Sequence, residues 1–411
     1  MKYLYLPVEV RVRELDAKLL LAYHAAREGF RVVVGEQIAV EQAATAMPCG
    51  IYLTKGYPER YKSRVIKKMK EAGNKLVELD EEGLIINNPK LYIQERMSPS
   101  LSKKLDEIYC WGAFQKGVIT DLAPSLMEKC LLTGNPRFDL LKKKYRPLYN
   151  DRVENLKQSY GDYILVNTRF AIFNSRNKRK KNPQHEQYPY MKKLFQHFIE
   201  LIGELSHKNP SKTIVVRPHP NENYNAYRKR FSSYSNVVVA PFGNVVDWIL
   251  ASELVIHNGC TTGIEAYLLE KPVISYMPIE DERYDVFLPN QFSYKAITTD
   301  DIIDSIHNGY STHEKTRKQH NVLTHYISGW KTPAYEQIID AMKQLDVESH
   351  PTNTFQPNPI KRSKKARERF TRLTDQDIRK FFRQLDSIEG HQSKIGITML
   401  GRDVFEVWLE G

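Results

Sequence analysis

Short apolar runs alternate with longer amphipathic stretches from the first residues onward. YLYLPVEV at 3–10 reads as a strand and RELDAKLLLAYHAAREG at 13–29 as a helix with Leu15, Leu19, Ala22 and Ala26 on one face. FRVVVG at 30–35 reads as a second strand, with Gly29 ending the helix and Gly35 ending the strand. GIYLT, KLVEL, EIYCW and KCLLTG repeat the strand signal, separated by helical stretches such as ERYKSRVIKKMKEAG. A second series runs through YILVNT (163–168), KTIVVRPHP (212–220), NVVVAPF (236–242), LVIHNG (254–259) and PVISYMP (272–278). A strand followed each time by a helix is the pattern of a parallel sheet with crossover helices. Between the two series, RFDLLKKKYRPLYNDRVENLKQSYG is polar and carries Pro147, which marks an interdomain crossing. The expectation is an α/β chain of two Rossmann-like, doubly wound domains, 1–145 and 146–348, facing a cleft with ligands at the strand ends.

Beyond the helix AYEQIIDAMKQLDV the pattern changes. HPTNTFQPNPI, with three prolines and several Asn and Thr, predicts a linker, so 349–411 is expected to be a linker and a basic, helical C-terminal extension. A helix is predicted from Thr374, with Asp377 completing a capping box and Ile378, Phe381, Phe382, Leu385 and Ile388 on one face. That face either packs onto the body or, beside the run KRSKKARER at 361–369, docks to a membrane or a partner through 361–388; packing is the preferred reading. The last segment, KIGITMLGRDVFEVWLEG, carries no functional signal.

Composition narrows the classes. A chain of 411 residues exceeds the usual single core, and 41% hydrophobic with 27% charged residues is ordinary for a globular protein. No run approaches the roughly 18 apolar residues of a membrane span, and charged residues stand where a secretory peptide would carry its apolar core. Cys49, Cys110, Cys130 and Cys260 show neither zinc-site pairing nor disulfide density, so a cytoplasmic protein is expected, at most peripheral at the inner face of the plasma membrane. The net charge of +12, partly in RNKRKK at 176–181 and KRSKKARER, favours an anionic partner; such runs are more often solvated loops. On charge alone a nucleotide, a membrane surface and nucleic acid all remain open; a nucleotide sugar is the partner expected, and no nucleic acid.

Three constellations lie where strands give way to loops. In IVVRPHP, Pro218 and Pro220 keep the backbone extended around Arg217 and His219, a guanidinium beside an imidazole that suits a phosphate, against the plainer reading of a structural histidine in a turn. In LVIHNGCTTGIEAYLLEKPVISY, the loop Asn258, Gly259, Cys260, Thr261, Thr262, Gly263 precedes a helix carrying Glu265. Small residues, hydroxyls and a helix N-terminus make a phosphate cradle, although a tight turn with threonine capping has the same composition. In KLVELDEEGLI, Asp80, Glu81 and Glu82 crowd a strand end before Gly83, so one carboxylate is expected to have a raised pKa and act as a general base, against an exposed acidic turn. Glu280, Asp281 and Glu282 are expected to be solvated rather than to bind a metal. Glu9, Arg11, Arg13 and Glu14 sit where the first strand meets its helix and are candidate cleft contacts.

The acidic cluster before glycine, the HP pair, and the hydroxyl loop before G-x-E-A and K-P-V together resemble bacterial GT-B glycosyltransferases that use CMP-activated acidic sugars, the sialyltransferases and capsule Kdo transferases. TGNPRFD at 133–139, with Asn135 and Arg137, and the opening PVEVRVRELDAKLLLA look like surface carbohydrate biosynthesis proteins. The resemblance spans roughly residues 1–345; Thr261 and Thr262 stand where many relatives have Ser-Ser. It implies a GT-B fold and transfer of a nonulosonate or Kdo-type sugar from a CMP donor to a glycan or lipid-linked glycan hydroxyl, in capsule or O-antigen synthesis. Glu81 or Glu82 would be the base, and His219, Thr261 and Thr262 would contact the donor. No cofactor or metal is implied, phosphate charge being met by Arg217, His219 and the helix dipole. Three rival readings remain: glycerol phosphate or ribitol phosphate transfer from a CDP donor, a UDP-GlcNAc 2-epimerase-like isomerase, and a non-catalytic anion-binding protein acting through its basic tail.

Overall fold

The computed structural model describes residues 1–177, 183–308, 317–347, 355, 363–392 and 394–410. The chain forms two compact units, one of residues 1–148 with 320–411 and one of residues 149–319. The fold class is the expected α/β one with parallel sheets.

In the first unit, β1 (Tyr3–Val8), β2 (Arg31–Glu36), β3 (Gly50–Thr54), β4 (Lys75–Leu79), β5 (Glu107–Cys110) and β6 (Cys130–Leu132) pair in parallel in the order β2-β1-β3-β4-β5-β6. Leu4, Tyr5 and Leu6 of β1 have no exposed surface, the signature of a strand covered on both faces by crossover helices. Side chains that alternate sheet faces are therefore apolar at successive positions, and each such Leu or Val contributes about 1.5–3 kcal/mol of burial.

In the second unit, β7 (Tyr163–Thr168), β8 (Thr213–Pro218), β9 (Val237–Val239), β10 (Leu254–His257), β11 (Val273–Tyr276) and β12 (Tyr294–Ala296) form a parallel sheet in the order β12-β11-β10-β7-β8-β9. The helix Tyr188–Lys208 covers one face with Leu194, Phe198, Leu201, Ile202 and Leu205.

The C-terminal region departs from the expected extension. β13 (Ile395–Gly401) and β14 (Val404–Leu409) form a hairpin, and β14 adds antiparallel to β2, so the segment that carried no functional signal completes the first sheet. The predicted helix is present as Asp375–Glu389 with the Thr374/Asp377 capping box. Ile378, Phe381, Phe382 and Leu385 are buried, and the helix packs on the helix Arg11–Arg27 and on β13. Those side chains belong to the core, in line with the preferred packing reading, and the exposed side carries Asp375, Gln376 and Asp377 as well as Arg379, Lys380 and Arg383. Residues 178–181 of the first basic run, 361–362 of the second, and most of the linker lie outside the described residues. Among the described residues no helix is long and apolar enough to cross a membrane.

The boundary expected at 145/146 lies close to the division at Leu148, but residues 320–347 join the first unit rather than the second. Ser328 N donates to Trp111 O at 2.6 Å, and Tyr335 N donates to Asp139 Oδ2 at 3.1 Å. Gly112 is required for this return: a Cβ there would stand 2.3 Å from the backbone carbon of Tyr326.

Candidate functional site

Each sheet has one point where the chain reverses its direction of strand addition, and loops there diverge to leave a crevice at the carboxyl ends. In the second unit the chain builds β7, β8 and β9 outward, then returns to place β10 on the other side of β7. The register aligns Asn167 with Arg217 and His257 with Asn167, so the residues that follow these strands emerge side by side. They are Arg169 after β7, His219 after β8, and Asn258 and Gly259 after β10.

A small pocket opens at this point, lined among others by Arg169, Tyr190, Asn258, Gly259, Tyr284 and Asp285. Three polar side chains here hold buried atoms without a hydrogen-bond partner among the described residues: Arg169 Nε, both amide atoms of Asn258, and Asn167 Nδ2. Burial lowers the pKa of Arg169. A buried polar group left unpaired costs about 1–3 kcal/mol, so several around one pocket point to a ligand that completes them.

The loop that presents Asn258 is held from beneath by His257, which is fully buried. Its Nδ1 accepts from Gly259 N at 2.9 Å, and its Nε2 donates to Ser293 Oγ at 2.7 Å. Burial, then the charge of Arg169, lowers its pKa to about 3, which keeps the ring neutral and this tautomer in place. Gly263 in the helix Thr261–Leu268 lies against the ring; a Cβ there would be 2.3 Å from Nε2. The Thr262 hydroxyl meets the Cys260 thiol at 2.6 Å, and Glu265 is buried one turn into the helix.

Arg217 is engaged elsewhere than expected. Its guanidinium donates to the carbonyls of Ala240 (3.2 Å), Phe242 (2.5 Å) and Gly243 (2.6 Å), over the Trp248 ring. Burial lowers its pKa to about 10. It clamps the loop after β9, which corrects its reading as a phosphate ligand. His219 and Pro220 are exposed. His219 N donates to Glu222 Oε1 (3.0 Å) and Thr168 O (3.1 Å), and its Nδ1 accepts from Asn221 N at 3.2 Å. Glu222 is fully buried, receives the Thr168 and Tyr227 hydroxyls at 3.0 and 2.6 Å, and has its pKa raised by burial. It orients the turn rather than facing a ligand. His219, Pro220, Thr261, Thr262 and Glu265 are not among the residues that line the pocket.

In the first unit the reversal falls between β1 and β3, where the chain turns from building β2 to building β3. The expected Glu9, Arg13, Glu14, Glu81 and Glu82 converge there with two lysines that the sequence did not single out. Glu14 is fully buried and accepts from Lys55 Nζ at 2.7 Å on both oxygens, from Arg13 at 3.0 Å and from Glu9 N at 2.8 Å. Burial opposes its ionisation, but Lys55 and Arg13 outweigh it and lower its pKa to about 2. Lys55 also reaches Glu9 at 3.2 Å, and Arg369 of the C-terminal region pairs with Glu9. Arg13 meets Glu82 at 2.7 Å. Lys18 lies 3.3 Å from Glu81 Oε1, with both side chains only 4% exposed, while Glu81 Oε2 is buried and has no partner among the described residues.

The three crowded carboxylates therefore face three different cations. Asp80 is fully buried and chelated by Arg96, with Nε at 2.9 and 3.1 Å. That pairing is structural and leaves Glu81 and Glu82 as candidate bases. Arg11 turns to Thr371, the carbonyl of Arg372 and Asp377. Asn135 caps the short helix Pro136–Asp139 and Arg137 lies over Trp111, so neither joins the charged cluster. Glu280 pairs with Lys295 and Asp281 with Arg283. Among the described residues no group of three His, Cys, Asp or Glu could hold a metal ion.

Arg169 was the main omission in the second unit; its signal is its place one residue past an apolar strand, as His219 is past β8. Lys18 was legible as a lone charge within AKLLLA, four residues from Glu14 on the same helical face.

No family model and no curated protein sequence matches the chain. Among solved structures it is similar to UDP-GlcNAc 2-epimerase of Methanocaldococcus jannaschii in complex with UDP-GlcNAc and UDP, at 14% identity and TM-score 0.51 over 84% of this chain and 99% of that one. A second structure of that enzyme matches at 13% identity and TM-score 0.50, again over 84% and 99%. The wall teichoic acid polymerase TagF matches at 12% identity and TM-score 0.48, over 72% of each chain. At these identities the epimerase likeness establishes the fold, a GT-B-like arrangement of chain segments into two Rossmann-like units.

Proposed function

We propose that the chain is a nucleotide-sugar enzyme of surface glycan synthesis, with the donor bound by the second unit and a carboxylate base in the first. The observation that carries this reading is the pocket at the β7/β10 reversal, where Arg169 and the Asn258 amide hold unpaired buried atoms beside a glycine loop and a helix start. One cation with an amide suits a phosphate oxygen. Epimerase structures of the same fold bind UDP and UDP-GlcNAc, which supports a nucleotide sugar as the ligand class.

The finer reading is glycosyl transfer from a CMP-linked acidic sugar to a glycan hydroxyl. Glu81 takes the proton of the acceptor hydroxyl, the acceptor oxygen bonds to the anomeric carbon, and the bond from that carbon to the phosphate oxygen breaks. The nucleotide leaves with the electron pair, its charge met by Arg169 and the Asn258 amide. Glu81 is chosen over Glu82 because its Oε2 is buried and unpartnered, whereas Glu82 is half-exposed against Arg13.

Calorimetric titration of the full chain with CMP, CDP, UDP and GDP tests the reading. Selective CMP binding followed by sugar transfer supports it. Preference for UDP with acceptor-free conversion of a UDP-sugar replaces it with the epimerase reading, CDP preference with the phosphotransferase one, and no binding refutes the nucleotide-sugar class.

A further inference from the structure

The lysine at position 18 is an unusual residue for its place. It lies in the apolar middle of the helix Arg11–Arg27, among Leu15, Leu19, Leu20 and Leu21, and is 3% exposed. A buried ammonium is costly unless paired, and the partner within reach is Glu81 Oε1 at 3.3 Å. Glu81 is itself buried and follows β4 at the carboxyl edge of the sheet, and its backbone N donates to Lys55 O at 3.4 Å. One oxygen is thus tethered to a rigid helix while the other, Oε2, is left without a partner among the described residues.

We infer that Lys18 is a positioning residue that fixes the Glu81 carboxylate with Oε2 turned to a substrate hydroxyl; this rests on the reading of Glu81 as the base. A carboxylate tethered at one oxygen loses rotational freedom and keeps its second oxygen available for a single donor. A hydroxyl is the ligand class that satisfies it, giving one hydrogen bond and then one proton. The other charges around Glu81 are organised separately. From the same helix, Glu14 and Arg13 pair with Lys55 and Glu82; from the end of β3, Lys55 serves Glu14 and Glu9; and from its own loop, Asp80 is held by Arg96 and Glu82 by Arg13. Lys18 is therefore the cation paired with Glu81, while Arg13 of the same helix acts on it at longer range.

The test is nucleotide release by the full chain from CMP-N-acetylneuraminate, CMP-Kdo, CDP-glycerol and UDP-N-acetylglucosamine, with lactose and an N-acetylglucosamine disaccharide as acceptors. Wild type is compared with Glu81→Gln, Lys18→Met and Lys18→Gln, the last keeping a hydrogen-bond donor without the charge. Lys18→Met is expected to lower kcat about 100-fold, the scale of a 1 Å misplacement, with KM for the donor unchanged. Lys18→Gln is expected to recover part of that kcat, again with KM unchanged. A Lys18→Met protein that does not fold leaves Lys18→Gln to decide, by a lowered kcat at unchanged KM. Loss of activity in Glu81→Gln with wild-type kcat in the folded Lys18 variants overturns the inference and keeps the reading. Full activity in Glu81→Gln, or no turnover of any donor by wild type, overturns the reading and the inference with it.

Discussion

Replacing Arg169 by Met separates a ligand-binding arginine from a structural one, because the two roles predict opposite signs for stability. Met keeps an apolar stem of similar length while removing the guanidinium, whose buried Nε has no partner among the described residues. Removing an unpaired buried donor relieves a penalty of about 1–3 kcal/mol, part of which is offset by lost packing of the planar head. The expected outcome in urea unfolding is unchanged or higher stability, by up to about 1 kcal/mol. Binding moves the other way. A hydrogen bond between a charged guanidinium and phosphate contributes about 1.5–3 kcal/mol, which corresponds to about a 10- to 150-fold rise in Kd, read by calorimetry with the nucleotide that wild type prefers. Arg217→Met is the control. Three carbonyls lose their donor there, so destabilisation of about 2–4 kcal/mol is expected. Destabilisation of Arg169→Met beyond about 2 kcal/mol with unaltered nucleotide binding would refute the reasoning and make Arg169 a structural residue.

Other outcomes follow from the same geometry. Glu14 has a folded pKa of about 2 against an ordinary 4.5, so its contribution is fully present above pH 4.5 and is lost as pH falls through about 2; melting between pH 2 and 6 should show this loss in wild type and not in Glu14→Gln. His257 is depressed to about 3 from 6.5 by burial and then by Arg169, so stability falls as pH drops from 6.5 towards 3, and nitrogen NMR should find the ring neutral with Nδ1 unprotonated at pH 5. Gly263→Ala places a methyl 2.3 Å from His257 Nε2, and the displaced ring should cost about 1–3 kcal/mol and weaken nucleotide binding. Glu78→Gln breaks a fully buried pair with Lys62 at 2.8 Å, for an expected loss of about 3–5 kcal/mol by urea unfolding. Deletion of 394–411 strips β14 from β2 and should lower the melting temperature and cause aggregation visible by light scattering, through an exposed Val32–Gly35 edge.

Much of the fold was legible because parallel strands buried on both faces read as plain apolar runs, and the runs at 50–54, 75–79 and 163–168 became strands with those bounds. The hairpin at 395–409 was missed because Thr398 and Glu406 interrupt its apolar runs; its place in the sheet comes from pairing with β2, over 350 residues away. The Thr374/Asp377 capping box was local chemistry and was readable. For the candidate sites, sequence indicated where chemistry emerges but not what each side chain touches. Asp80, Glu81 and Glu82 look alike in KLVELDEEG and differ only through Arg96, Lys18 and Arg13, which come from two other helices. Arg217 near the end of β8 and Arg169 just past β7 both follow apolar runs, and only the loop after β9 decides which of them is engaged.

The most direct test of the central claim is a crystal structure of the full chain with the nucleotide that binds most tightly in calorimetry. The account predicts a phosphate oxygen within hydrogen-bonding distance of Arg169 and the Asn258 amide, at the carboxyl ends of β7 and β10. A nucleotide bound away from that pocket, with Arg169 and Asn258 still unpaired, would contradict it.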